Sequence, residues 1–466
     1  MSTIWAVARQ MIAEGIRMKI ALIFLVLIGM VVLGLPFSIK GDSSLTGAAQ
    51  SFMSYGLNAT GILLGMLTIF MSRSLSDELV NRQIFLITTK PVPRWQYILG
   101  KWLGMAVLNA AFLSFAGLSI YGMVHYIKYT HPPIDERFDE AELNNEVLVA
   151  RHALQFRLPD FTKPAEREFQ RNREEGLYAD VPNFKDEAER ARLARKYEAR
   201  WRIVGPLEMR TFEFENVLCD RSPDNTIQIR YKTNVSAYPP DEIFRAVWEF
   251  GDPLKGTRVY RVPTRHVVDR FNTIRIPADS VAPDHKLVAV LYNQNPFEGE
   301  PQYRNVIEIR ASDGVEVLFV VGSFGWNLVR LLILMMCKLV FLGAVALLMV
   351  TVFSFPVACL TSFTVYVLAG ARSFITESIE FAANPYGDDW VIQTFLQTFG
   401  FIFSALKWVV PDFGYFNAIE DFVNGRNVSL VWVLEAIGGL AGLKTMIILG
   451  LAMLLFHRRE VAEISV

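Results

Sequence analysis

The chain has 466 residues, of which 52% are hydrophobic, and its mean hydropathy is +0.28. A formal net charge of −1 gives no electrostatic case for nucleic-acid binding, and the three cysteines (Cys219, Cys337 and Cys359) support neither a disulfide framework nor a zinc site. Long apolar runs at both ends flank a charged middle, which predicts a membrane part with an inserted soluble part.

The N-terminal quarter is dominated by helices expected to lie at or in a membrane. Residues 1–19 predict an amphipathic helix, for which an interfacial anchor and a contact with a partner protein are both open. Within residues 20–127 we expect three spans, at 20–39, 51–71 and 99–127, because a bilayer core needs roughly 20 apolar residues.

The loop between the second and third spans, residues 72–101, is unusually basic for its length. Such loops are enriched on the cytoplasmic side of membranes. Residues 77–88 predict one short helix with a charged start and an apolar end, and Pro91-Val-Pro93 stops it. The basic side chains of the loop are Arg73, Arg82, Lys90, Arg94 and Lys101.

The middle of the chain has two characters. Residues 128–205 are dense in charge and predict helices at 136–157 and 185–202, whose charged faces we expect to be solvated. Residues 206–323 alternate with the period of a strand between turn signals, which predicts an antiparallel β-sandwich of about seven or eight strands. Its aromatic residues Trp248, Phe250, Tyr260 and Tyr292 fit a core better than a ligand groove.

Apolar helices return in the last third. We expect the fourth and fifth transmembrane helices within 326–371 and the last at 437–457. Residues 388–413 place polar side chains on one face, which favours an interfacial or re-entrant helix over a full crossing.

Two lysines lie inside these apolar runs. Lys444 is a candidate intramembrane functional residue, with snorkelling or pairing with a partner helix as the open alternatives, whereas Lys338 is expected to snorkel.

Six crossings put both termini in the cytoplasm and residues 128–325 outside it. The basic residues near the N-terminus, the 72–101 loop and Arg458-Arg459 then share one side, as the positive-inside rule requires. The predicted fold is a membrane α-helical bundle of six transmembrane helices with an inserted extracytoplasmic α+β domain that contains the β-sandwich.

Four short motifs, in this order and spacing, resemble the permease subunits of ABC-2-type exporters, close to the group that includes the nitrous oxide reductase maturation permease. They are Glu14 and Arg17 before the first span; Glu78, Ile84 to Ile87, Pro91-Val-Pro-Arg94 and Gly100-Lys101 in the loop; Ser354-Phe-Pro-Val357; and Pro411-Asp-Phe413 with Phe456-His-Arg-Arg459. The likeness implies a type V ABC exporter-like bundle in the bacterial inner membrane.

The same resemblance implies a half-transporter that pairs with a second permease subunit and docks a separate cytoplasmic ATPase, which would bind ATP and Mg²⁺. This chain lacks a Gly-x4-Gly-Lys-Ser/Thr phosphate loop, so we expect no ATP hydrolysis by the chain itself. A coupling helix at about 76–90 would enter a groove of the ATPase. The expected coupling residues are Glu78, Arg82, Ile84, Phe85, Pro91, Pro93 and Arg94.

No Ser/His/Asp, paired-carboxylate or metal-ligand constellation has suitable spacing, so we predict neither a catalytic nor a metal site. The alternative function is a membrane-anchored scaffold or binding protein that acts through its extracytoplasmic β-sandwich.

Overall fold

The structure, a computed structural model, describes residues 3–17, 19–38, 44–81, 93–130, 140, 142–178, 186–222, 225–237, 239–297, 305–309, 314–382 and 410–458. It divides into two units: a helical unit, Met1–Ala150 with Gly322–Val466, and a β unit, Arg151–Val321. The helices are α1 Thr3–Arg17, α2 Ile20–Ser38, α3 Leu45–Met71, α4 Arg73–Val80, α5 Arg94–Thr130, α6 Thr162–Glu174, α7 Asp186–Arg202, α8 Phe324–Val352, α9 Phe355–Ala382, α10 Ile419–Val423 and α11 Leu430–Arg458.

In the described part of the helical unit, five helices are long and apolar enough to cross a membrane. Counting α1 and α2 as one span, bent by 66°, would give six. The five are Leu45–Val80, Arg94–Thr130, Phe324–Val352, Phe355–Thr376 and Leu430–Arg458.

The enclosure of these helices differs widely. In the most apolar 18 residues of each helix, 72% are buried in α8, compared with 17% in α9 and 28% in α11. α8 is therefore the central helix, while α9 and α11 keep large uncovered apolar faces. In a bilayer, lipid or another helix would cover those faces.

Helix α1 packs on α5, so its apolar face is covered by the same chain. Trp5 and Ile16 of α1 stay exposed, so a lipid surface and a partner protein both remain open as further contacts. The approach is close because Gly100 and Gly104 of α5 lack side chains: a Cβ on Gly104 would lie 2.7 Å from the Ala8 carbonyl oxygen, and one on Gly100 would lie 2.6 Å from Cβ of Val7.

The predicted helix at 77–88 is wrong in its start, and its residues 82–88 lie outside the described part. α4 begins at Arg73, directly after α3, and ends at Val80. The two together form one candidate span of 36 residues, because Ser72 bonds back into the preceding turn and does not interrupt the helical path. The third span begins earlier than expected, at Arg94. Residues 82–92 lie outside the described part.

The segment after residue 410 returns the chain to α8. The amide of Asn327 in α8 donates to the Arg426 carbonyl (2.7 Å) and accepts from the Val428 N–H (2.7 Å). The predicted helix at 388–413 lies outside the described residues up to 409, and residues 410–413 have no helical turn. The last helix begins at Leu430 rather than 437, and its stretch Ala436–Lys444 is π-helical.

The described part of the β unit contains three sheets. The strand orders are β1-β11-β4-β8, β2-β10-β5 and β3-β9-β6-β7. The strands are β1 Val149–Gln155, β2 Ile203–Val204, β3 Met209–Phe214, β4 Thr226–Tyr231, β5 Thr233–Val235, β6 Ile243–Phe250, β7 Tyr260–Val267, β8 Asn272–Pro277, β9 Leu287–Tyr292, β10 Ile307–Ile309 and β11 Val315–Ser323.

The two four-stranded sheets share one hydrophobic core, as expected of a sandwich, although the described part has more strands and one sheet more than predicted. Trp248 and Phe250 are fully buried, which confirms them as core residues. The rings of Tyr231 on β4 and Trp248 on β6 lie 4.9 Å apart and connect the sheets.

The predicted helix at 136–157 is wrong over residues 148–157: the described part is helical at 140 and 142–147, with a π-helical turn at Leu143–Val147, and then forms β1. α6 was not predicted. It packs on α7, the predicted helix at 185–202, through a small core of Ala165, Phe169 and Leu193, and Arg190 lies over the Phe169 ring.

We predict that Gly104→Ala destabilises the protein by about 1–3 kcal/mol, because the methyl group would overlap the α1 backbone. Gly122→Ala in the same helix is the matched control, since a Cβ there meets nothing within 4 Å. Thermal unfolding in detergent measures both. Equal unfolding temperatures for the two variants would contradict the close contact of α1 with α5.

We also predict an acid-sensitive β unit. Tyr231 hydrogen-bonds to Nδ1 of His266, and burial lowers the pKa of that imidazole. Below pH 6.5, the ordinary pKa of histidine, the folded state then binds fewer protons than the unfolded state. The free energy of unfolding is therefore unaffected by His266 above pH 6.5 and decreases as the pH falls below that value. Thermal unfolding from pH 7.5 to 5 should show this loss, with a smaller slope for His266→Asn. An unchanged slope would exclude His266 as the cause.

Candidate functional site

A buried polar cluster lies where α1, α4 and α5 meet. We call it the Lys101 cluster; it comprises Glu14 of α1, Ser74 and Glu78 of α4, and Tyr97 and Lys101 of α5. The Lys101 side chain is fully buried, whereas those of Glu78 and Glu14 are 7% and 26% exposed. A fully buried lysine is rare unless it is paired, so the cluster is an unusual feature of the helical unit.

The Lys101 ammonium uses all three of its donors. Its Nζ lies 2.9 Å from Glu14 Oε2, 2.9 Å from Glu78 Oε1 and 2.7 Å from Ser74 Oγ. Because these acceptors come from α1 and α4, one side chain of α5 holds three helices together. The full set of bonds offsets much of the cost of removing the ammonium from water.

The carboxylates of the cluster have further donors. The hydroxyl of Tyr97 donates to Glu78, and that of Ser74 donates to Glu14. The amide of Gln10 donates to Glu14 Oε1 (2.9 Å) and to Glu78 Oε1 (3.3 Å). The two carboxylates thus share one cation and accept four hydrogen bonds from three neutral side chains, which fixes their positions.

The local sequence explains why these side chains converge. Residues four apart lie on one face of a helix. Gln10 and Glu14, Ser74 and Glu78, and Tyr97 and Lys101 are three such pairs, one on each helix. Glu14, Tyr97 and Lys101 were not predicted as site residues, although this spacing indicates that each shares a helix face with another polar residue. The spacing does not show which of the three pairs contact one another.

A second connection joins the start of α5 to the end of α11. The guanidinium of Arg94 donates to the carbonyls of His457 (2.8 Å) and Phe456 (3.4 Å), the last turn of α11. A cation at this end of a helix also interacts favourably with the helix dipole. The rings of Tyr97 and Phe456 stack at 6.3 Å, so α5 and α11 are fixed at the same end.

The structure describes three of the seven predicted coupling residues: Glu78, Pro93 and Arg94. Glu78 is 5% exposed, and its ion-pair partner is Lys101 of the same chain instead of a partner's groove. Arg94 likewise bonds within the chain, and Pro93 precedes α5. The remaining predicted positions, Arg82, Ile84, Phe85 and Pro91, lie outside the described residues.

Lys444, the predicted intramembrane residue, lies in the π-helical stretch of α11 and is partly buried. The charged groups that act on it electrostatically are Arg372 of α9 and Asp412. Lys444 therefore belongs to a group of charges that shares no member with the Lys101 cluster.

The Lys101 cluster is suited to fixing helices and not to bond-breaking chemistry, because its ammonium is fully used in contacts and is closed to solvent. Among the described residues, no group of three or more His, Cys, Asp and Glu side chains could hold a metal ion. No protein-family profile, curated protein or solved structure matches the chain significantly.

We predict that Lys101→Met lowers stability by about 3–5 kcal/mol, because it leaves two buried carboxylates without their cation. Arg73→Met is the control: it removes the pair of Arg73 with Asp77, both about half exposed, and should cost no more than about 1 kcal/mol. Lys101→Met with Glu78→Gln should recover part of the loss. Equal thermal unfolding of Lys101→Met and Arg73→Met would contradict a bracing role.

Proposed function

We propose that the chain is the membrane-spanning permease subunit of an ATP-driven exporter of the ABC-2 type. In this proposal the six-span bundle lies in a bacterial inner membrane, both termini are cytoplasmic and residues 128–325 are extracytoplasmic. The support is the set of apolar helices, the basic character of the 72–101 loop and the resemblance of the short motifs.

The observation that carries the proposal is the bracing of both helices that flank residues 82–92. α4 ends at Val80 and α5 begins at Arg94. Lys101 joins α4 to α5 and α1, and Arg94 joins α5 to α11. A force on residues 82–92 would therefore act on four helices together, as a transporter needs when its motor is a separate protein.

The lengths of α3–α4 and α5 also support contact with a soluble partner. The candidate span Leu45–Val80, with 36 residues, would be about 54 Å long if straight, whereas the hydrocarbon core is about 30 Å thick. α5, with 37 residues, is equally long. The ends of α4 and α5 can thus extend well beyond the bilayer, where a soluble partner could contact the segment between them.

The predicted coupling residues would have different roles in such a transporter. Arg82, Ile84 and Phe85 contact the ATPase, while Pro91 and Pro93 end the contact segment. Glu78 and Arg94 act inside the chain and transmit the movement to the bundle. ATP and Mg²⁺ bind the partner, and a second permease subunit covers part of the exposed apolar faces of α9 and α11.

The alternative is a scaffold that works through the β unit, and its support is the separate hydrophobic core of that unit. Deleting residues 151–321 discriminates between the two. A scaffold would lose its client binding and show no ATPase dependence, whereas a permease would keep its association with the ATPase.

We predict that the tagged full-length chain, purified from its native membranes in mild detergent, retains a soluble ATPase. Arg82→Glu with Phe85→Ala should lower the retained ATPase at least tenfold, because it removes a charge and an apolar contact at the docking segment. Arg73→Glu is the matched control, since Arg73 lies on the exposed side of α4. Purification of wild type without any ATPase, or equal retention by all variants, would overturn the proposal.

A further inference from the structure

Lys338 lies at the midpoint of the most enclosed helix. It is 14 residues from Phe324 and 14 from Val352, the two ends of α8. At about 1.5 Å per residue, each end is roughly 21 Å away, whereas a lysine has only a four-carbon stem. Lys338 therefore cannot reach either end of α8, and snorkelling to a bilayer surface stays a prediction of the sequence. A charge at such a depth marks a functional site by default.

The charges around Lys338 are unbalanced. The charged group that acts on it electrostatically is Asp412, which also acts on Lys444 and lies 4.0 Å from Arg372. Lys444 is likewise at the midpoint of its helix, 14 residues from Leu430 and from Arg458. Among the described side chains, one carboxylate thus serves three cations, which leaves an excess of two positive charges.

Asp412 is already used by neighbouring groups. Its Oδ1 accepts from the hydroxyl of Ser373 (2.8 Å) and from the backbone N–H of Tyr415 (2.9 Å). Arg372 also donates to the Val410 carbonyl (2.5 Å). The Lys338 ammonium has no hydrogen bond or ion pair within the described part of the chain, so its donors are available to a ligand.

A cavity of about 260 Å³ lies beside Lys338, between α3, α8, α9 and residues 413–419. Small-molecule pockets have volumes of roughly 300–1,000 Å³, so this cavity is near the lower end and has room for an anionic head and a few methylenes but not for a whole lipid. Ile62 and Val367 on its rim are about half exposed, so the cavity opens sideways between α3 and α9. Among its described lining residues Lys338 is the only charged one; the others include Met335, Leu339, Tyr366, Gly370 and Phe413.

We propose that this cavity binds the anionic head of an amphiphile, a phosphate or carboxylate that pairs with Lys338, while the tail leaves through the opening between α3 and α9. The mid-helix cation supplies the charge, the apolar walls supply the contacts for the first methylenes, and the sideways opening faces the acyl chains of a bilayer. An unpaired lysine in the middle of a membrane helix has a high free-energy cost. The anionic head would lower that cost for Lys338 by pairing with its ammonium. The inference needs the helices to lie in a membrane but does not depend on an ATPase partner.

Dodecyl phosphate is a suitable probe, because it joins one phosphate to one apolar tail. Added to the intact protein in dodecyl maltoside, it should bind at a saturable site, measured by native mass spectrometry and by a rise in the thermal unfolding temperature. The uncharged dodecyl maltoside already present is the matched neutral amphiphile. If a second neutral dodecyl glycoside binds this site as tightly as dodecyl phosphate does, the proposal is wrong.

Two variants test the site in different ways. Lys338→Met removes the charge at nearly constant volume and should weaken dodecyl phosphate binding at least tenfold, whereas Lys338→Arg should retain it. Gly370→Leu leaves the charge but fills the cavity, since a Cβ at Gly370 meets nothing within 4 Å, and should also weaken binding. Lys19→Met, which removes an exposed cation that does not line the cavity, should bind as wild type does.

The lipids and small amphiphiles that copurify with wild type, but not with Gly370→Leu, identify the source of the head group. An abundant phospholipid would assign the cavity to the bilayer, and a scarce anionic amphiphile would assign it to the cargo. If Lys338→Met binds dodecyl phosphate as tightly as wild type, the proposal is wrong. It is also wrong if dodecyl phosphate does not bind wild type; a dimer that Lys338→Met dissociates would then indicate that an acidic group of a second copy pairs with Lys338.

Discussion

The arrangement of α1, α4 and α5 depends on one buried ammonium, that of Lys101, which requires three hydrogen-bond acceptors. Lys101 is closed to water, and an unpaired charge in such a place would cost several kcal/mol. It is satisfied only when Glu14, Ser74 and Glu78 are all in position, which requires α1, α4 and α5 to adopt one relative arrangement. The glycines that let α1 approach α5 serve the same end, since Gly100 and Gly104 lie on the helix that carries Lys101.

The two groups of buried charge in this unit have different characters. The Lys101 cluster has two carboxylates for one cation, and its bonds are internal, which suits a rigid brace. The group around Asp412 has three cations for one carboxylate among the described residues, and it borders a cavity. An internally satisfied group holds a structure together, whereas an unbalanced group beside open space can accept a ligand of the missing sign.

The sequence predicted much of the fold where a single physical signal was strong. Apolar runs indicated the membrane-type helices, and strand alternation indicated a β domain with Trp248 and Phe250 in its core. It failed where the signal was mixed. Residues 149–155 carry charge and few β-branched side chains, yet they form β1, because β11 beside them offers an unpaired strand edge. α4 began four residues earlier than predicted, since Ser72 does not break the helix.

The sequence by itself determined which segments are apolar, how long they are, and that Lys338 and Lys444 are charges inside apolar runs. These properties depend on composition and spacing, which are local. Only the tertiary structure decided the partners: that Glu78 pairs with Lys101, that Arg94 caps α11, and that Lys338 lies at mid-helix beside a cavity. Pairing energies depend on distance and burial, and both are set by helices that are far apart in the chain.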